Sequence, residues 1–297
     1  MKNIIFFGYG SENLLEPVKK LFLNENLIEI NNFNSNYNLN SLKDKTYDVI
    51  VFSSHLNLNS FLYAYHYEKI KNFIDPLDLL KELKIKKKIY LIHDLSEFYL
   101  NDEIYHLDLM DLILSPIDYD DPLFMKKIFN VGWIKNFDIS LATSITGKRI
   151  FFMSDIGFYE KNFEIFIKDF ASFVGKFDYF KLPKMNNLPI KIKNFFIDNG
   201  VREINSNENV NNYLEQNDIY TNGLSSIIFE TLLKKNKINV IKSATNEFIN
   251  WDNVLKNPLS KLKLVKNISI NKNIIQISPN DIDVDLSFKK EKFKSLF

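Results

Sequence analysis

The chain has 297 residues, 45% hydrophobic and 25% charged, a folded globular composition that excludes disorder as the main state. Lys and Arg total 38 against 37 Asp and Glu, a formal net charge of +1, so there is no chain-wide basic field and no nucleic-acid partner is expected. With no cysteine, disulfides, thiolate zinc sites, iron–sulfur clusters and cysteine nucleophiles are all excluded.

The first half reads as strands alternating with helices. Apolar, β-forming runs predict strands at 3–7, 27–30, 47–52, 88–92 and 111–114. Helical spacing predicts helices at 14–23, at 58–84 with a break near Asp75-Pro76, and at 122–129. The Asn-rich stretch 31–40 reads as a loop. The pattern restarts after Gly147-Lys148-Arg149. Strands are expected at 150–153, 179–182, 218–220 and 238–241, with helices at 162–174, 190–197, 210–214 and 224–235. The fold class is therefore α/β, as two successive units of nearly equal size joined near residue 147. Residues 1–147 form the first domain. Residues 148–297 form the second, ending in a helix.

Open parallel sheets bind ligands beyond the carboxyl ends of their strands. In the first domain those positions are Gly8, Gly10 and Ser11 after the first strand, His55 after the third and His93-Asp94 after the fourth. His93 suits a general base near neutral pH, with Asp94 to orient it or replace it. The plainer reading is that these groups cap strands and fill polar loops. The four histidines, His55, His66, His93 and His106, show no metal-ligand spacing. Asp118-Tyr119-Asp120 has the form of a divalent-metal motif, but Pro116 and Pro122 frame it as the approach to a helix. No metal or cofactor is expected.

The most informative segment is Asp218 to Glu230, which reads strand, turn, helix. Asn222-Gly223 is the turn signal. Ser225 and Ser226 fall where unpaired N–H groups and the helix dipole favour an anion. Glu230 lies one turn below Ser226 on the same face, placed for ribose hydroxyls. The plainer alternative is an N-cap serine and a solvated glutamate.

This segment, with Lys237 to Ile241 after it, resembles the donor-site segment of GT-B glycosyltransferases. It is most similar to the branch of CDP-glycerol glycerophosphotransferases and capsule-type transferases. The resemblance implies two Rossmann-like domains facing across a cleft, and a metal-independent transferase with a nucleotide-linked donor in the second domain and a hydroxyl acceptor, such as a surface glycan, held mainly by the first. Asn222, Gly223, Ser225 and Ser226 would then meet the donor phosphates, Glu230 the ribose, and Lys181, in Phe180-Lys181-Leu182-Pro183, a phosphate. Leu182 stands where that branch carries a histidine. A CDP-glycerol-type transferase and a noncatalytic nucleotide- or sugar-binding module are the alternatives.

No apolar stretch reaches the ~20 residues that span a bilayer, and residues 1–8 lack the features of a signal peptide. A cytoplasmic location is expected. The tail, with Lys289, Lys290, Lys292 and Lys294 among Phe288, Phe293 and Phe297, suits either peripheral contact with an anionic membrane or a terminal helix packed on its domain.

Overall fold

The computed structural model describes residues 1–8, 17–31, 39–53, 76–92, 107–118, 127–134, 145–183, 189–223, 225–246, 265–271, 273–280, 285 and 287–297. They fall into two compact units. Described residues up to 134, together with 285 and 287–297, form the first, and those from 145 to 280 form the second.

The first unit is built on six parallel strands: β1 (Asn3–Gly8), β2 (Asn26–Asn31), β3 (Thr46–Phe52), β4 (Lys84–Leu91), β5 (Leu112–Ser115) and β6 (Ile128–Asn130). Their spatial order is β2-β1-β3-β4-β5-β6. The central strands are continuous apolar runs because a parallel sheet is covered on both faces. Ile4 to Phe7 and Val49 to Phe52 are all buried. The short helix α1 (Pro76–Glu82) precedes β4, with proline at its first position. The helix expected over 122–129 is corrected at its end, since Ile128 and Phe129 pair with β5 as strand β6.

The second unit holds seven strands: β7 (Arg149–Phe152), β8 (Tyr179–Lys181), β9 (Arg202–Glu203), β10 (Asp218–Thr221), β11 (Ile238–Ile241), β12 (Val265–Ile270) and β13 (Ile274–Pro279). Their order is β12-β13-β11-β10-β7-β8-β9. Strands β7 to β11 are parallel, and β12–β13 is an antiparallel hairpin added beside β11. The Asn271 side chain closes that hairpin, accepting from the Asn273 and Ile274 N–H groups at 3.2 and 2.8 Å.

Helices α2 (Ile156–Lys161), α3 (Phe163–Phe170) and α4 (Ile190–Asp198) belong to the β7-to-β9 half, and α5 (Ser226–Leu233) joins β10 to β11. Phenylalanine fills the core of that half. Phe151 stacks on Phe177 with centroids 5.0 Å apart, Phe180 on Phe196 at 4.6 Å, and Phe166 meets Phe170 at 5.1 Å. The helix expected at 210–214 is a single 3-10 turn, Val210–Asn212.

The terminal helix α6 (Lys290–Ser295) overturns its expected domain assignment. Phe293 and Phe297 are buried in the first unit's core, where Phe297 lies 4.4 Å from Phe22 and 4.9 Å from Phe293. Lys87 Nζ donates to the Leu296 carbonyl at 2.8 Å, and the Lys289 N–H donates to the Val131 carbonyl at 2.9 Å. Gly132 admits the segment: its φ is +74°, and a Cβ there would lie 1.9 Å from the Ser287 carbonyl oxygen. Apolar area decides the matter, because burying two phenylalanines stabilises by roughly 3–6 kcal/mol. Among the described residues no helix is long and apolar enough to cross a membrane.

Candidate functional site

In the second unit β7 comes first, and β8 and β9 extend the sheet on one side. The chain then returns to add β10 and β11 on the other. Winding therefore reverses between β7 and β10, which is where loops diverge and ligands bind in open α/β sheets. Ser154-Asp155 leaves β7 at this point, and Asn222-Gly223 leaves β10 toward the start of α5.

Asn222 ties the two strand ends together. It is fully buried, its Oδ1 accepts from the Ser154 N–H at 2.9 Å, and its Nδ2 donates to the Ser154 carbonyl at 3.1 Å. The Ser154 hydroxyl donates back to the Asn222 carbonyl. One residue earlier, Thr221 Oγ1 donates to the Phe152 carbonyl at 2.8 Å. Gly223 then turns the chain at φ +85°. A Cβ there would lie 2.4 Å from Asp155 Oδ2 and 2.9 Å from Ser154 Oγ, so backbone and carboxylate approach as only glycine allows.

Asp155 is the unexpected member. Its backbone is left-handed, at φ 56° and ψ 30°, and although it occupies the N-cap of α2 its side chain makes no capping bond. The carboxylate turns instead to Ser154 Oγ at 3.2 Å, with the Thr245 side chain close enough to help hold down its pKa. The side chain reaches solvent, yet the protein crowded around it desolvates the carboxyl and pushes its pKa up, against the pull of the Thr245 and Ser154 hydrogen bonds.

The loop after β11 is braced from behind. Thr245 Oγ1 lies 3.1 Å from Ser243 Oγ and 3.4 Å from the Tyr159 hydroxyl. Tyr159 donates to Asp169 Oδ2 at 3.0 Å, and the same oxygen accepts from the Ala244 N–H at 2.9 Å. Burial raises the pKa of the Tyr159 phenol well above its usual value, which keeps it a donor. Asn246 spans the loop, accepting from the Ser243 N–H at 3.1 Å and donating to the Ile241 carbonyl at 2.7 Å.

Of the expected donor groups, Ser225 is the N-cap of α5, with its Oγ accepting from the Ile227 N–H at 3.4 Å. Ser225 and Ser226 are both half-buried, so the helix start is not sealed under protein. Glu230 is only 2% exposed, well inside the helix. Lys181 closes β8 and is buried, its Nζ donating to the Ser206 carbonyl at 2.7 Å. Burial pulls its pKa down to about 8, with Glu208 nearby resisting that fall.

The first sheet reverses between β1 and β3. Gly8 ends β1 there, and the Ser53 N–H, just past β3, donates to the Phe7 carbonyl at 3.2 Å. Gly10, Ser11, His55, His93 and Asp94 lie outside the described residues, as do Tyr119 and Asp120. Among the described residues no group of three or more His, Asp or Glu side chains is gathered to hold a metal.

Sequence reasoning passed over Ser154, Asp155 and Thr245. The available signal was positional: a serine and an aspartate directly follow the apolar strand that opens the second unit, in the kind of place where Asn222-Gly223 was recognised.

No protein-family model matches the sequence, and comparison with curated proteins gives no match. Among solved structures, a UDP-N-acetylglucosamine 2-epimerase aligns over 83% of this chain and 80% of its own, at 13% identity and a TM-score of 0.37. The glycosyltransferase SnogD from Streptomyces nogalater aligns over 86% and 85%, at 10% identity and 0.40. The wall teichoic acid polymerase TagF aligns over 80% and 69%, at 10% identity and 0.39. Likeness this remote carries no activity, ligand or residue role across.

Proposed function

We propose that the chain is a glycosyltransferase that moves a sugar from a nucleotide-activated donor to a hydroxyl acceptor, with the donor seated at the β7/β10 switch point. One observation supports this above the rest: the winding reversal coincides with a tied turn, Asn222-Gly223, that leads into a half-open helix start carrying Ser225 and Ser226. Backbone N–H groups and two hydroxyls there suit a phosphate without a metal. The sequence resemblance to the donor segment of GT-B transferases points to the same residues.

In the proposed reaction the acceptor oxygen bonds to the donor's anomeric carbon as the bond from that carbon to the phosphate oxygen breaks. The acceptor proton passes to His93 or Asp94, and the nucleotide leaves with the bonding electrons, its new charge offset by the helix start. Glu230, 2% exposed, and Lys181, buried and bonded to the Ser206 carbonyl, are not placed to meet the donor, which leaves Ser225, Ser226 and the turn before them to hold it. A surface glycan is the acceptor class implied by the sequence resemblance.

Thermal-shift titration of the full chain with UDP, CDP, GDP and CMP tests this reading. At least one should raise the melting temperature, and the Ser225→Ala, Ser226→Ala double variant should lose that rise. An equal rise in the variant would contradict the assignment. A response to CDP-glycerol above that to sugar nucleotides would select the glycerophosphotransferase alternative.

A further inference from the structure

We propose that Asp155 is the residue that recognises the transferred group, by accepting hydrogen bonds from its hydroxyls. This rests on the donor reading above and deepens it.

Three features carry the inference. The Asp155 carboxylate stands at the winding reversal, on the loop facing the turn that leads to Ser225 and Ser226. It forgoes the capping bond its N-cap position offers, and its backbone is held in a left-handed conformation uncommon for a residue other than glycine. Its neighbours set its direction: Ser154 Oγ at 3.2 Å, and beside it the Thr245 side chain, whose Oγ1 lies 3.1 Å from Ser243 Oγ. A carboxylate with about four acceptor positions keeps two for a ligand after those bonds.

The chemistry of the occupant follows from charge. An ionised carboxylate beside a phosphate seat repels a second phosphate, so what it meets there must be a hydrogen-bond donor. Sugar hydroxyls supply such donors, and a vicinal pair matches the two free acceptor positions. Gly223 is what lets the carboxylate lie against the turn that leads to the helix start, since a Cβ there would be 2.4 Å from Asp155 Oδ2. Asp155 therefore discriminates an intact donor from the bare nucleotide.

The test is calorimetric titration of wild type, Asp155→Asn and Asp155→Ala with UDP, CDP and GDP, and with UDP-glucose, CDP-glycerol and GDP-mannose. Both variants should bind the free nucleotide within twofold of wild type and the matching conjugate about tenfold more weakly, the loss expected for a hydrogen bond to a charged partner. Equal losses for nucleotide and conjugate, or no loss for either, overturn the role of Asp155 while leaving the donor site standing. Failure of wild type to bind any of the six overturns the donor reading and this one with it. Should both variants fail to fold, Thr245→Val, which removes the hydroxyl beside the carboxylate but retains the carboxylate, must weaken the conjugate more than the nucleotide. Equal effects there refute the proposal.

Discussion

Asn222 and Ser154, separated by 68 residues, share two hydrogen bonds through one amide side chain, at 2.9 and 3.1 Å. Asparagine does this because its amide offers one acceptor and one donor in a fixed plane, matching a backbone N–H and C=O. The pairing joins β7 to β10 where the sheet's winding reverses, so the stability of this corner and the shape of the site depend on the same side chain.

Asn222→Ala leaves the Ser154 N–H and carbonyl without these partners. Each loss costs about 1–3 kcal/mol, so denaturant melts should show a destabilisation of roughly 2–4 kcal/mol. Asn222→Asp keeps an acceptor for the N–H but turns an oxygen toward the Ser154 carbonyl, and should also destabilise. A change below 0.5 kcal/mol in both variants would mean that the bridge does not hold the corner.

Gly223→Ala combines a positive φ with a Cβ 2.4 Å from Asp155 Oδ2. The expected cost is about 1–3 kcal/mol. Part of it should vanish when Asp155 is also alanine, since the carboxylate causes the clash and the backbone angle causes the rest. A double-mutant cycle reads that coupling, and strict additivity would count against the close approach.

Lys181 predicts a pH dependence. Burial lowers its pKa from 10.5 to about 8, so the unfolded chain holds the proton more tightly than the folded one. Its charge therefore burdens the fold below about pH 8, and stability recovers as pH rises from there toward 10.5. The net burden is on the order of 3 kcal/mol. Lys181→Met should stabilise at pH 7 by about 1–2 kcal/mol and lose most of that advantage by pH 10. A difference independent of pH would place the lysine outside this account.

The terminal segment predicts a fold-level effect. Gly132→Ala would push a methyl into the Ser287 carbonyl, 1.9 Å away, and Phe293→Ala would empty a fully buried core position. The second should cost about 3–5 kcal/mol. Both should expose residues 285–297 to limited proteolysis. Unchanged protection in both would contradict the packing of this segment.

The alternating α/β order was legible because stretches such as 4–7 and 49–52 are continuous apolar runs, a strong local signal. The β12–β13 hairpin was not, because β12 is mostly exposed and only half apolar, with no buried run to mark it. The home of the terminal helix was not legible either. Its phenylalanines announce a buried face, but their partner Phe22 lies more than 250 residues away in sequence. At the site, Asn222-Gly223 and Ser225 announced themselves through turn and cap chemistry. Asp155 did not, because its significance comes from the approach of Gly223 and Thr245, which only the folded chain brings about.

The most direct test of the central claim is titration of the full chain with nucleoside diphosphates in the presence of EDTA. The account predicts saturable binding of at least one, weakened tenfold or more by Ser226→Glu, which sets a negative charge at the proposed phosphate seat. Saturable binding that Ser226→Glu leaves unchanged, or no binding by wild type, would contradict it.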